Sequence, residues 1–112
     1  MTYNFKDTIS GNTYKNSVQF TMQRRVNSVT SAINLTGSSI TMEVKNAVNL
    51  RLVKTYSLGS GLTIINGANG IFKFDEQVID IYPGNYVYEI TFTLSDGTVG
   101  TYITGNWLIT EL

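Results

Sequence analysis

The chain contains no cysteine and no histidine. Without cysteine, neither a disulfide framework nor a thiolate metal site can form. Without histidine, the commonest general base, the usual Ser-His-Asp relay and most zinc geometries are missing. Charge is scarce too: eight basic and eight acidic residues, 14% of the chain, cancel to a formal net charge of zero. That balance marks neither a nucleic-acid groove nor an anchor for acidic membranes. Uninterrupted apolar runs are a few residues long, so no segment reads as a membrane-spanning helix. Polar but uncharged side chains must therefore make up much of the surface, unless neighbours cover it.

After Met1 the chain reads TYNFKDTIS, with neither a basic n-region nor an apolar h-region. The expectation is synthesis in a cytoplasm and no entry into a glycosylating compartment. The lone sequon, Asn34-Leu35-Thr36, reads accordingly as coincidence. A length of 112 residues is that of one domain able to bury a core without metal or disulfide.

What is present is alternation. In residues 83–109, PGNYVYEITFTLSDGTVGTYITGNWLI, Tyr86, Tyr88, Ile90, Phe92 and Leu94 share one parity. Asn85, Glu89, Thr91 and Thr93 share the other, which is the pattern of a strand buried on one face. Asp96-Gly97 predicts a two-residue type I′ hairpin loop. The register then follows: Leu94 faces Val99, Phe92 faces Thr101, Ile90 faces Ile103, Tyr88 faces Gly105 and Tyr86 faces Trp107. Opposed residues share a face, so Val99, Ile103, Trp107 and Ile109 are expected inside. Gly105 is read as leaving room for the Tyr88 ring.

The same period recurs upstream. Tyr3, Phe5 and Ile9 alternate with polar residues, as do Val18, Phe20 and Met22, and then Ile40, Met42 and Val44. Weaker strands are expected at RLVKTYS, GLTII and IFKF, with turns at Gly59-Ser60-Gly61 and NGANG. A single helical turn is allowed around Glu76–Asp80. Residues 24–36 form a polar excursion carrying the adjacent pair Arg24-Arg25, and residues 46–50 form another connection. Short strands with turn signals every 8–12 residues predict an antiparallel β-sandwich of about 7–9 strands.

Candidate chemistry is thin. Asp75, Glu76 and Asp80 are close in sequence but lack a calcium-loop spacing. Gly59, Gly61, Gly67 and Gly70 precede no helix that could cradle a phosphate. No spacing sets Lys45, Lys54 or Lys73 beside a particular Ser as a catalytic base. The expectation is no catalytic, metal or cofactor residue. Arg24-Arg25 reads as a solvated strand end or as a local phosphate or carboxylate contact. The hairpin register leaves Val87, Tyr102 and Leu108 on the outward face as an apolar stripe. Cover by a neighbouring loop, a protein–protein contact and a glycan platform are all readings of that stripe.

Several motifs recur in a family order: Leu35-Thr36-Gly37, Gly61-Leu62-Thr63-Ile64, Pro83-Gly84, Tyr86-x-Tyr88 and Asp96-Gly97-Thr98. Together they resemble the immunoglobulin-like β-sandwich domain of tailed-bacteriophage structural proteins, typified by the N-terminal domain of siphophage baseplate upper proteins. Departures are Asn12 for the usual Asp, Asn85 for the usual Thr, and Trp107 where a smaller aromatic is common. The resemblance spans nearly the whole chain and implies a single immunoglobulin-like domain over 1–112. It further implies a non-catalytic virion component assembled in the host cytoplasm, with other virion structural proteins as partners and a homo-oligomeric or symmetric assembly. A baseplate or tail adaptor and a capsid-decorating or fibre-anchoring protein are both open. Taken as a full-length chain of 112 residues, it is expected to lack the long C-terminal extension of baseplate upper proteins, which keeps head decoration in view. A carbohydrate-binding or adhesin-type module is the alternative.

Overall fold

Alternation over 84–93 and 99–110 produces the two longest strands, and they pair as an antiparallel hairpin. The computed structural model describes residues 2–14 and 18–111, apart from the side chains of Val26 and Tyr102. In chain order the strands are β1 (Thr8–Ile9), β2 (Thr13–Tyr14), β3 (Val18–Thr21), β4 (Gln23–Val26), β5 (Val29–Ala32) and β6 (Ser39–Asn46). They continue with β7 (Leu52–Leu58), β8 (Gly61–Asn66), β9 (Ile71–Phe74), β10 (Gln77–Val78), β11 (Gly84–Thr93) and β12 (Val99–Thr110). Among the described residues there is no helix. The turn allowed around Glu76–Asp80 is instead the short strand β10, paired with β2.

Eight strands form one curled sheet in the order β1-β12-β11-β6-β7-β8-β9-β3. It is mixed, not uniformly antiparallel as expected: β1 runs parallel to β12, and β7 runs parallel to β8. The β7–β8 ladder has only two rungs, Ser57–Gly61 and Leu58–Leu62, and the sheet folds over there. Its two halves then face each other. Phe72 of β9 meets Phe92 of β11 edge-on at 5.4 Å, and Phe74 meets Trp107 of β12 at 5.9 Å.

The hairpin register corrects the expected one near its turn. Leu94 N–H donates to the Thr98 carbonyl (2.8 Å) and Gly97 N–H to the Leu94 carbonyl (2.9 Å), so the loop holds three residues, 95–97. Gly97 takes φ 89°, the left-handed residue that closes such a loop. The extra residue shifts the first pairs to Thr93–Val99 and Phe92–Gly100. A β-bulge between Thr101 and Ile103 absorbs it, and Ile90–Ile103, Tyr88–Gly105 and Tyr86–Trp107 pair as expected. Val99, expected inside, is 64% exposed because it lies on the turn side of the bulge. A two-residue loop does occur, at Asn27-Ser28 between β4 and β5, where both residues have positive φ.

Trp107 anchors the core. Its indole stacks on Phe5 at 4.8 Å and meets Tyr14 and Phe74 edge-on. Its Nε1 donates to the buried Thr8 Oγ1 at 3.0 Å, and that hydroxyl donates to the Lys6 carbonyl at 2.9 Å. Thr8, not Ile9, therefore takes the inward place in the first strand, because an indole N–H removed from water needs an acceptor. At the entry to β11, the Tyr86 hydroxyl donates to the Tyr82 carbonyl at 2.6 Å.

Trp107→Ala removes this anchor and should cost about 3–5 kcal/mol by denaturant unfolding. A variant that unfolds like the parent would place the ring outside the core. Burial pushes the phenols of Tyr56 and Tyr88 far up, with Asp80 adding to the effect at Tyr56 and Tyr3 and Tyr14 at Tyr88; burial also raises Tyr86. A raised folded-state value means the neutral phenol is favoured in the fold. This stability is therefore fully present below the unfolded value of about pH 10 and is lost as pH rises through the folded value. In alkaline titration, some of the seven tyrosines should ionise only together with loss of the strand circular dichroism. Simultaneous ionisation of all seven with the strands intact would contradict this.

Candidate functional site

The outward stripe expected from the hairpin register is distributed over β11 and β12. Val87 is half-buried on the outward side of β11, across from Asn106 on one flank and Lys45 on the other. Leu108 is 36% exposed and pairs with Asn85, so it is a diagonal neighbour of Val87 and not its direct partner. Diagonal positions sit roughly 7–8 Å apart, within reach of long side chains. The backbone of Tyr102 is the extra residue of the bulge. Its side chain lies outside the described residues.

The N-terminal segment borders this stripe. Thr2 bridges Thr104 in parallel, Tyr3 N–H donates to the Thr104 carbonyl (3.0 Å) and Phe5 N–H to the Asn106 carbonyl (3.1 Å). Asn4 Oδ1 accepts the Asn106 N–H at 3.0 Å. Between this segment and β11 lies a groove of about 250 Å³, with Val87, Glu89, Thr104 and Asn106 on its sheet side. Gly105 is what lets the segment lie so close. A Cβ there would collide with the Tyr3 carbonyl and come within 2.8 Å of Tyr88 Cε1. The room expected for the tyrosine ring is thus shared with the N-terminal segment, held in place because the Tyr88 hydroxyl donates to the Tyr3 carbonyl.

Two ends of the sheet expose more than the stripe does. At the end where β11 begins and β12 finishes, Tyr82 is 86% exposed beside Pro83. With Ser10, Gly11, Asp80 and Glu111 they line an open cleft of about 310 Å³. Val48 and Leu50, also exposed, occupy the β6–β7 turn at the same end, where Ala47 N–H donates to the Asn85 carbonyl. Tyr82 is not among the contact residues expected from the sequence, although a period-two signal marks it: Ile79 and Ile81 are buried, which sends Asp80 and Tyr82 outward. At the other end, the polar excursion of 24–36 holds all of the β4–β5 hairpin except its first residue, Gln23, and the hairpin forms its own two-stranded sheet.

The acidic residues 75–80 go separate ways. Asp75 accepts the Thr63 hydroxyl (2.8 Å) and Asp80 pairs with Lys54 (3.2 Å). Among the described residues no three His, Cys, Asp or Glu side chains gather to hold a metal. Lys45 is directed to Glu89 at 3.9 Å. The glycines at 59, 61 and 70 have positive φ; Gly59 and Gly70 lie in turns, and Gly61 opens β8. Arg24 lines a cleft of about 310 Å³ with Ser95 and Asp96, while Arg25 lies on the other face of the β4–β5 hairpin. The Asp96 carboxyl is held below its ordinary value chiefly by the backbone N–H and hydroxyl of Thr98, with a small contribution from Arg24. Comparison with protein-family models, curated proteins and solved structures found no match to this chain.

Gly105→Ala should force the N-terminal segment off β12, costing about 1–3 kcal/mol, the usual range for overpacking. Hydrogen exchange at the Tyr3 and Phe5 amides reads this directly. Unchanged protection at both would mean that the segment is not held as described.

Proposed function

We propose that this chain is an immunoglobulin-like domain serving as a non-catalytic structural component of a tailed-bacteriophage virion, acting through protein–protein contacts. The observation that carries the reading is the strand order about the β7–β8 fold. It divides into a β12-β11-β6-β7 half and a β8-β9-β3 half, the order that immunoglobulin-like sandwiches distribute over two sheets. The hydroxyl of Tyr86 at the entry of β11, returned to the Tyr82 carbonyl, corresponds to the tyrosine corner of such folds. To this fold-level likeness the family motifs at 35–37, 61–64 and 83–98 add the phage context. Fold does not carry function by itself, so the case for binding rests on the surface.

That surface is weakly charged and exposes large apolar side chains at both ends of the sheet. Such a surface is suited to cover by neighbouring subunits in a repeating assembly. Partners would be other virion structural proteins, assembled with this one in the host cytoplasm. Electron microscopy of particles carrying a labelled copy tests the reading. Density is expected at the tail tip or on the capsid in a symmetric pattern. Particles without label, together with glycan-competed binding of a monomer, would replace this reading with the carbohydrate-binding one.

A further inference from the structure

The geometry points to a head-to-tail contact: the β4–β5 hairpin of one copy seats in the Tyr82–Glu111 cleft of the next. This deepens the assembly role proposed above and rests on it for context. The hairpin is an arm. Its four rungs run from Gln23–Ala32 to Val26–Val29, and every described side chain along them is exposed. The arm is tied to the body at its base, where Met22 N–H donates to the Gly70 carbonyl (2.8 Å) and Ile33 N–H to the Met22 carbonyl (3.0 Å). A two-stranded hairpin with neither face covered is marginal in water. Docking against another surface would bury it.

The chemistry of arm and cleft is complementary. Strand alternation puts Arg24 toward the β11–β12 turn with Asp96, and Arg25 on the opposite face beside Thr30. Arg25 makes no ion pair among the described residues, and Val29 at the tip is 66% exposed. In the cleft, Asp80 is already matched by Lys54, whereas Glu111 has no ion pair among the described residues. The register puts Val29 on the face opposite Arg25, so an arm inserted into the cleft meets Glu111 with one face and the apolar cover of Tyr82 and Pro83 with the other. One unmatched guanidinium with an apolar tip therefore meets one unmatched carboxylate with an apolar wall.

Position makes the contact propagate. The cleft is where β11 begins, at Gly84, and the arm adjoins the turn after β11 ends, at Thr93. The molecule is 47 Å long and about half as wide, with arm and cleft at opposite ends of the sheet. A contact between two different surfaces so placed is heterologous, and it builds rings or filaments instead of closed pairs. Zero net charge leaves no overall repulsion between copies.

Sedimentation velocity of the full chain over a concentration series, at low and high salt, tests this with two variants. Arg25→Glu spoils the arm and keeps the cleft; Glu111→Arg spoils the cleft and keeps the arm. The parent chain should grow beyond the dimer with concentration, less so at high salt. Each variant alone should stay monomeric with an unchanged melting temperature. Their equimolar mixture should again grow beyond the dimer, as an alternating chain in which the parent pair forms at one contact and the reversed pair at the next. A chain carrying both substitutions should regain association through the reversed pair. A parent chain that stays monomeric throughout overturns the contact, even if labelled copies still decorate particles. So does association of Glu111→Arg alone at the parent level, which would mean arms pairing with arms. Head-to-tail growth of a chain that binds no particle would keep the contact and remove the virion reading.

Discussion

The indole of Trp107 joins segments that are far apart in sequence, and the fold depends on that junction. Phe5 from the N-terminal segment stacks on it, Tyr14 and Phe74 meet it edge-on, and Thr8 accepts its N–H. A buried indole without an acceptor would leave a polar group unsatisfied, at a cost comparable to a lost hydrogen bond. Thr8 meets that need only because residues 2–10 lie along β12. That course depends in turn on the missing side chain at 105. Core packing, the parallel first strand and the glycine are thus one constraint seen from three sides.

Most of the strand content was legible because it rests on local alternation. Buried Val18, Phe20 and Met22, and buried Ile40, Met42 and Val44, follow from period two alone. The far pairs of the β11–β12 hairpin were legible too, since Tyr86–Trp107 and Ile90–Ile103 match large apolar residues across a ladder. What escaped was geometry that leaves no compositional mark. An Asp-Gly pair suits both a two-residue loop and the end of a three-residue loop, and the bulge at Tyr102 restores the phase that the longer loop upsets. The β4–β5 arm escaped because no buried face imposes alternation on it. Its described side chains are all exposed.

The candidate surface was legible in part for the same reason. Val87 and Leu108 follow from parity, and the structure puts them on diagonal positions of the outward face. The cleft around Tyr82 is assembled from Ser10, Asp80 and Glu111, which meet only once the strands have paired. No linear pattern records such a meeting. Under the reading proposed above, function is less legible still, because a surface meant to be covered needs no reacting group that a motif would mark.

On the outward side of the sheet, Glu43 and Glu89 stand directly opposite one another on β6 and β11, with Lys45 in loose contact with only Glu89. Like charges so placed weaken a ladder. Brought face to face with the same pair on another molecule, they would double that repulsion in a drier setting. The broad flank of the sheet therefore resists stacking of the kind that leads to disordered aggregates, which leaves the tips as the place for the contact proposed above.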